Sequence, residues 1–280
     1  MRENYCTAVR GSSVALVPYR RRFVPRYHAW MKDPWIREMT ASEPLSLEEE
    51  YAMQRSWRDD SKKLTFIVMD AAHPGALKGE IDAMAGDVNL FFNDRDDPKV
   101  AEVEVMIAEE GCRRRGMATA AVGLLLWYSA THHSIRRFYC KIGEANAASL
   151  ALFEKLGFTR CGYSEAFAEV ELEWRPPQRE DGSSAMDPPA EFQEILPYAE
   201  EEEEGGGEEN KSAGDAGVQE PPETADATKT PAATSSGAAA SPTVSTVRPK
   251  VGIRQFSGVV GDGVVEVGYM PPEGSCRRAL

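Results

Sequence analysis

Residues Ala101 to Ala130, AEVEVMIAEEGCRRRGMATAAVGLLLWYSA, decide the fold. They read as a strand, a short basic turn bracketed by Gly111 and Gly116, and a long helix that is apolar nearly all round. A helix that starts straight after such a turn presents unpaired backbone N–H groups, which suit an anionic phosphate. Arg113, Arg114 and Arg115 add positive charge to the same turn. Two common phosphate loops are excluded. A Walker loop ends in Gly-Lys-Ser/Thr, so that a lysine reaches the phosphates, whereas Met117 and Ala118 follow Gly116 here. A dinucleotide loop needs three glycines in G-x-G-x-x-G spacing, and Gly111 and Gly116 have no partner at that spacing.

Arg113 to Ala118, RRRGMA, fits the pattern Arg/Gln-x-x-Gly-x-Gly/Ala. It resembles the pyrophosphate loop of the GNAT acyltransferases, which bind acetyl-coenzyme A. A second block follows in the order that family shows: a strand at Arg137 to Ile142 (RFYCKI), then Asn146, Ser149 and LFEKLGF from Leu152 to Phe158. Gly157 suits a left-handed helix end there. Further segments resemble the N-acetyltransferase 9-like branch of the superfamily. They are LVPY (Leu16–Tyr19), TASEPLSLEEEYAMQ (Thr40–Gln54), GDVNLF (Gly86–Phe91) and EVEVMIAE (Glu102–Glu109). The resemblance covers Val14 to Trp174.

It implies an α+β GNAT fold: a mixed, largely antiparallel sheet with helices on both faces, over residues 1–175. It also implies an acetyl-CoA-dependent N-acetyltransferase without a metal, acting on a primary amine, most plausibly the α-amine of a protein or peptide. Acetyl-CoA would lie against Val105, Met106, Ile107 and Ala108, against Arg113 to Ala118 and Thr119, and near Asn146. Ala118, Ala120 and Ala121 are small enough to let a ligand approach the helix backbone.

Local signals agree with that architecture. Val14 to Val17 reads as a first strand, and Pro25 to Met31 as a short helix with proline in its first turn. Ser46-Leu47-Glu48-Glu49 has the form of a capping box opening a helix to about Trp57. Leu64–Met69 and Asp87–Phe92 read as strands, the second joined by NDRDDPK (93–99) to the strand at Glu102. Gly157–Tyr163 and Ala166–Trp174 read as a closing hairpin.

Acetyl transfer from a thioester needs a neutral amine and a group to take its proton. On the strand from Glu102, alternation puts Glu102, Glu104 and Met106 on one face and Val103, Val105 and Ile107 on the other. Two carboxylates on a covered strand suit a general base, Glu102 by slight preference because other GNAT branches often carry glutamate at the matching place. They equally suit a solvated stretch or cross-sheet pairs with Arg or Lys. Many GNAT enzymes have a tyrosine acid where this chain has Phe153, so the proton for the departing thiolate falls to Ser149, Tyr139, a water, or none, since free thiols ionise near pH 8.5. Asp87 and Asn89 share a face and read as structural or substrate-facing. His132-His133 reads as a solvated pair at a helix end rather than a metal site. Cys112, beside the arginines, is placed for a lowered pKa. Trp30, Trp35 and Trp57 flank the region that the GNAT resemblance implies as the acceptor pocket, and each reads first as a core residue. A catalytically weak, acetyl-CoA-binding scaffold is the alternative that Phe153 leaves open.

The formal charge of −13 is unevenly spread. Residues 1–175 carry 24 basic and 26 acidic side chains, and residues 176–280 carry 8 and 19. A nearly neutral domain is a poor nucleic-acid binder, because that binding depends on neutralising many phosphates. From Pro176 the chain turns rich in Pro, Gly, Ser and Glu, with Glu200 to Glu204 in one run, and reads as a disordered acidic tail. Such a run suits a basic protein partner, and equally serves as a solvated linker. The last apolar stretch, VGIRQFSGVVGDGVVEVGYM (251–270), suits a short strand or a docking peptide. Five unpaired-looking cysteines, no secretory h-region and no apolar run of membrane length point to a cytoplasmic or nucleocytoplasmic protein without membrane contact.

Overall fold

Period-two alternation along the strands sorts side chains onto two faces, and each face is covered by its own helices. The computed structural model describes residues 2–199. The chain runs through β1 (Thr7–Gly11), β2 (Val14–Pro18), α1 (Val24–Trp30), α2 (Pro34–Thr40), α3 (Leu47–Asp59), β3 (Lys63–Asp70) and β4 (Met84–Phe91). It continues through β5 (Val100–Ile107), α4 (Met117–His132), β6 (Arg137–Gly143), α5 (Ala147–Lys155), β7 (Thr159–Ser164), β8 (Glu169–Trp174) and β9 (Phe192–Pro197). The strands form one sheet in the order β7-β8-β6-β5-β4-β3-β2-β1-β9. All neighbours are antiparallel except β5 and β6, which run parallel. The expected α+β GNAT sheet, mixed and largely antiparallel with helices on both faces, is therefore present.

On one face, α4 supplies Met117, Ala121, Leu124, Leu125 and Tyr128 and α5 supplies Leu150 and Phe153 to a core with Leu16, Phe66, Val103 and Phe138. On the other face, Val24, Tyr27 and Trp30 of α1 and Ile36 of α2 pack with Val17, Ile67, Met69 and Met106. Tyr51, Met53 and Trp57 of α3 close over that second cluster. The capping box forms as read: Ser46 Oγ accepts the Glu49 N–H at 3.3 Å and the Glu49 carboxylate accepts the Ser46 N–H at 2.7 Å. Gly157 ends α5 at φ +92°, in the left-handed region that favours glycine.

Three elements differ from the expectation. The strand at Val14 is preceded by β1, which forms a hairpin with it. Pro34 to Thr40 is helical, with the Asp33 carboxylate accepting the Trp35 N–H at 2.8 Å as a cap. The expected disordered tail from residue 176 is corrected over its first part, because β9 pairs with β1 from Pro197 at Thr7 to Phe192 at Gly11. The physical reason is an apolar anchor: the Phe192 ring lies 4.2 Å from the Trp127 ring of α4. Residues 200–280, with the glutamate run and the last apolar stretch, lie outside the described residues.

Candidate active site

β5 ends at Ile107, and the chain turns through Glu110–Cys112 into α4. Arg114 and Gly116 sit at φ +58° and +80°, so the turn enters the helix in a left-handed conformation. No side chain caps α4; the Gly116 carbonyl accepts the Ala120 N–H at 3.0 Å. The N–H groups of Met117, Ala118 and Thr119 therefore have no acceptor within the helix. A Cβ built on Gly116 meets nothing within 4 Å, so the helix end faces open space. That combination of free donors, positive helix dipole and room suits an anion.

The three arginines have three different positions. Arg113 donates from Nε to the Ile107 carbonyl at 2.9 Å and from Nη2 to the Ala108 carbonyl at 2.7 Å, and its guanidinium lies 4.5 Å from the Trp35 ring. Arg115 is tied to Asp70 at 2.7 Å. Arg113 and Arg115 thus brace the turn against β5 and β3. Arg114 is exposed and has no ion-pair partner among the described residues, which leaves its charge available to a ligand. Cys112 departs from the expectation of a lowered pKa. Burial pushes its thiol up, Asp70 adds to the shift, and Arg115 opposes it only in part.

β5 and β6 are hydrogen-bonded only from Val100–Glu102 to Arg137–Tyr139. Beyond that point the two parallel strands diverge, leaving Val103 to Ile107 without a ladder partner on the β6 side. Val105 and Ile107 border this opening on the α4 face, while Met106 is buried on the opposite one. Gly86 of β4 allows the end of β5 to sit where it does, since a Cβ there would lie 1.9 Å from the Met106 carbonyl oxygen.

On the helical α1–α3 face, strand register assembles a polar floor in rows. Thr65, Asn89 and Glu104 are cross-strand partners, and Lys63, Phe91 and Glu102 form the next row. Thr65 Oγ1 donates to Asn89 Oδ1 at 2.6 Å, Asn89 Nδ2 to Asp87 Oδ2 at 2.9 Å, and the Tyr27 hydroxyl to the same Asp87 oxygen at 3.2 Å. Glu102 accepts from the Tyr139 hydroxyl at 3.1 Å, at the vertex where β5 and β6 part. Glu104 keeps an exposed surface, and loss of hydration from the protein packed around its carboxyl pushes it up to about 7. The charge of Lys63 opposes that rise, and Glu102 and Asp87 reinforce it. Lys63 is itself buried, 2.9 Å from the Trp57 ring centre and 4.2 Å from that of Phe91, and burial pushes its ammonium down.

A family model described as an acetyltransferase (GNAT) domain matches residues 14–159. The chain belongs to the GNAT acetyltransferase family. It is 49% identical over 175 residues to an N-acetyltransferase 9-like protein of Nematostella vectensis, covering 62% of this chain and 88% of the relative. It is 49% identical over 177 residues to the human α/β-tubulin-N-acetyltransferase 9, covering 61% of this chain and 84% of the relative. The fold also matches a Vibrio cholerae spermidine N-acetyltransferase in complex with CoA and spermine, at TM-score 0.51 and 21% identity over 59% of this chain and 96% of that one. A ribosomal L7/L12 α-N-protein acetyltransferase in complex with coenzyme A matches at TM-score 0.51 and 16% identity, over 60% and 97%. The last two likenesses show the fold alone. The chain is accordingly an acetyl-CoA-dependent N-acyltransferase of the N-acetyltransferase 9-like branch.

Acetyl-CoA fits what the GNAT chain presents. The unpaired N–H groups of Met117 to Thr119 and the free Arg114 suit a pyrophosphate, and the opening beside Val105 to Ala108 suits an extended, amide-bearing arm. Asn146 and Ser149 meet each other: the side-chain Oδ1 of Asn146 accepts the Ser149 backbone N–H at 3.1 Å and caps α5. Phe153 is 3% exposed and packs edge-on against Phe158, so a hydroxyl-free ring there belongs to the core. His132 is exposed and stacked on Tyr128, and no group of metal-ligating residues occurs among the described residues.

Sequence reasoning missed Lys63, Tyr27 and Glu109. Glu109 is held by Arg26 at 2.7 Å and by the Trp30 indole N–H, which fastens α1 to the end of β5. A lysine at the head of a strand that is otherwise apolar was the available signal for Lys63.

Proposed function

We propose that this GNAT enzyme acetylates the α-amine of a protein or peptide, with Glu104 as the general base. The observation that carries this reading is the position of Glu104: exposed, on the floor beside the divergence of β5 and β6, with its proton affinity raised by partial loss of hydration and by the nearby carboxylates Glu102 and Asp87. An α-amine ionises near 7.7–8.0 and a lysine near 10.4. A carboxyl shifted upward matches the α-amine better, because proton transfer is most effective between groups of similar affinity. The name of the human relative, which specifies tubulin, supports a protein acceptor.

Acetyl-CoA supplies a thioester acetyl group whose thiolate is a competent leaving group without an acid, since thiols ionise near 8.5. The backbone N–H groups of Met117 to Thr119 and the Arg114 guanidinium hold its phosphates, and Val105 to Ala108 line its arm. Glu104 takes the proton of the attacking amine. Glu102, held by the Tyr139 hydroxyl, borders the amine and raises the affinity of Glu104 by its own charge. Asn89 and Asp87, hydrogen-bonded to each other and to Thr65 and Tyr27, keep the floor rigid.

The test is transfer of labelled acetyl from acetyl-CoA by the full chain to two peptide sets. One set carries a free N-terminus and no lysine; the other is blocked at its N-terminus and contains lysine. Label in the first set alone is the expected result. Equal labelling of the blocked set would overturn the α-amine reading.

A further inference from the structure

We propose that a cavity beside the catalytic floor receives an acidic side chain of the acceptor, a few residues beyond the reacting amine. The inference rests on the reading of the acceptor site given above. The cavity has a volume of about 500 Å³ and is lined by Asp97, Arg136, Arg137, Arg175, Pro176 and Gln178. Asp97 comes from the turn between β4 and β5, the first two arginines from the start of β6, and the remaining residues from the chain just after β8.

Its place on the sheet connects it to the floor. Arg137 and Tyr139 share a face of β6, and the Arg137 guanidinium carbon lies 5.5 Å from the Tyr139 ring centre. Tyr139 in turn donates to Glu102. Two residues along a strand span about 7 Å, so an extended acceptor whose amine lies at Glu102 and Glu104 reaches the cavity with its second to fourth residue.

Its charge fits one kind of side chain. Three guanidinium groups face two carboxylates: Asp97, 3.6 Å from Arg136, and Glu173, 2.6 Å from Arg137 and 3.5 Å from Arg175. The cavity is therefore cationic in a chain of formal charge −13. The Arg136 and Arg175 side chains are 52% and 61% exposed, which leaves their remaining N–H donors available to a carboxylate. Glu102, Glu104, Glu169 and Glu171 repel an acidic side chain from the rest of that face. The cavity is where such a side chain is accepted.

The experiment compares full-length wild type with the double variant Arg136→Gln/Arg175→Gln. Substrates are matched peptides with a free N-terminus and either Glu or Gln at position 2, 3 or 4. In the wild type, Glu at one position is expected to exceed Gln about tenfold in kcat/KM, mainly through KM, and raised salt should shrink the ratio. In the variant the ratio should fall to about one, whereas a purely structural loss would lower both peptides and keep the ratio. A wild-type ratio near one at every position, or an unchanged ratio in the variant, overturns the inference and leaves the acetyltransferase reading standing. Wild-type failure to acetylate every peptide would overturn the α-amine reading and this inference with it.

Discussion

Gly116 is required by its backbone rather than by crowding: it sits at φ +80°, and a side chain there points into open space above the unpaired N–H groups of α4. Any side chain strains that conformation, and a carboxylate adds repulsion where the pyrophosphate would lie. Gly116→Asp should weaken acetyl-CoA binding by at least about tenfold, and Gly116→Ala by clearly less, each read by titration calorimetry on protein whose folding is checked by melting. Equal weakening by both would remove the electrostatic part of the argument. At this scale the chain was half legible. The Arg-x-x-Gly-x-Ala spacing singled out the turn proposed as the cofactor loop, but spacing carries no side-chain direction. Three adjacent arginines looked equivalent, whereas in the folded chain Arg113 turns onto the Ile107 and Ala108 carbonyls and Arg115 onto Asp70. The choice between Glu102 and Glu104 was open for the same reason, since both lie on one strand face. Their surroundings differ through neighbours far away in sequence: Tyr139 on β6 donates to Glu102, while loss of hydration raises Glu104 and Lys63 on β3 opposes that rise.

α4 and α3 announced themselves because their signals are local: an apolar run after glycine, and a Ser-x-x-Glu box. β9 did not, because its few apolar residues (Phe192, Ile195, Leu196) stand among prolines and glutamates, and its partner β1 is almost two hundred residues away in the chain. The sheet nevertheless depends on it. Without β9, β1 becomes an exposed edge, and Trp127 loses the Phe192 ring. The hydrogen bond from Arg22 to the Tyr198 hydroxyl at 2.6 Å would go as well. A chain ending at residue 175 should melt several degrees below one ending at residue 199, roughly the shift of a loss of 1–2 kcal/mol in a domain of this size. Identical melting of the two by calorimetry would show β9 to be an accessory.

The molecule as a whole divides its labour between the two sides of one sheet. The α4 side gives a dry core and, at its open end, an anion site; the α1–α3 side gives polar rows that carry Glu104, Lys63 and Asp87. The short pairing of β5 and β6 joins the two sides, so the proposed cofactor loop and the polar floor meet through one gap in the ladder. This arrangement makes the identity of the base a pH measurement. A carboxylate accepts a proton only when ionised, and partial loss of hydration around Glu104 raises its value, so activity should rise with pH through a range above that of ordinary carboxylates. The decisive measurement is kcat/KM against pH from 5 to 9 for the wild type and Glu104→Gln, with acetyl-CoA affinity measured in parallel. The account predicts an acid limb above the ordinary carboxylate range in the wild type. In the variant only the acceptor amine's own limb near 7.7–8.0 remains, kcat/KM falls on the order of a hundredfold, and cofactor affinity is kept. A Glu104→Gln enzyme with the wild-type rate and the same acid limb would contradict it.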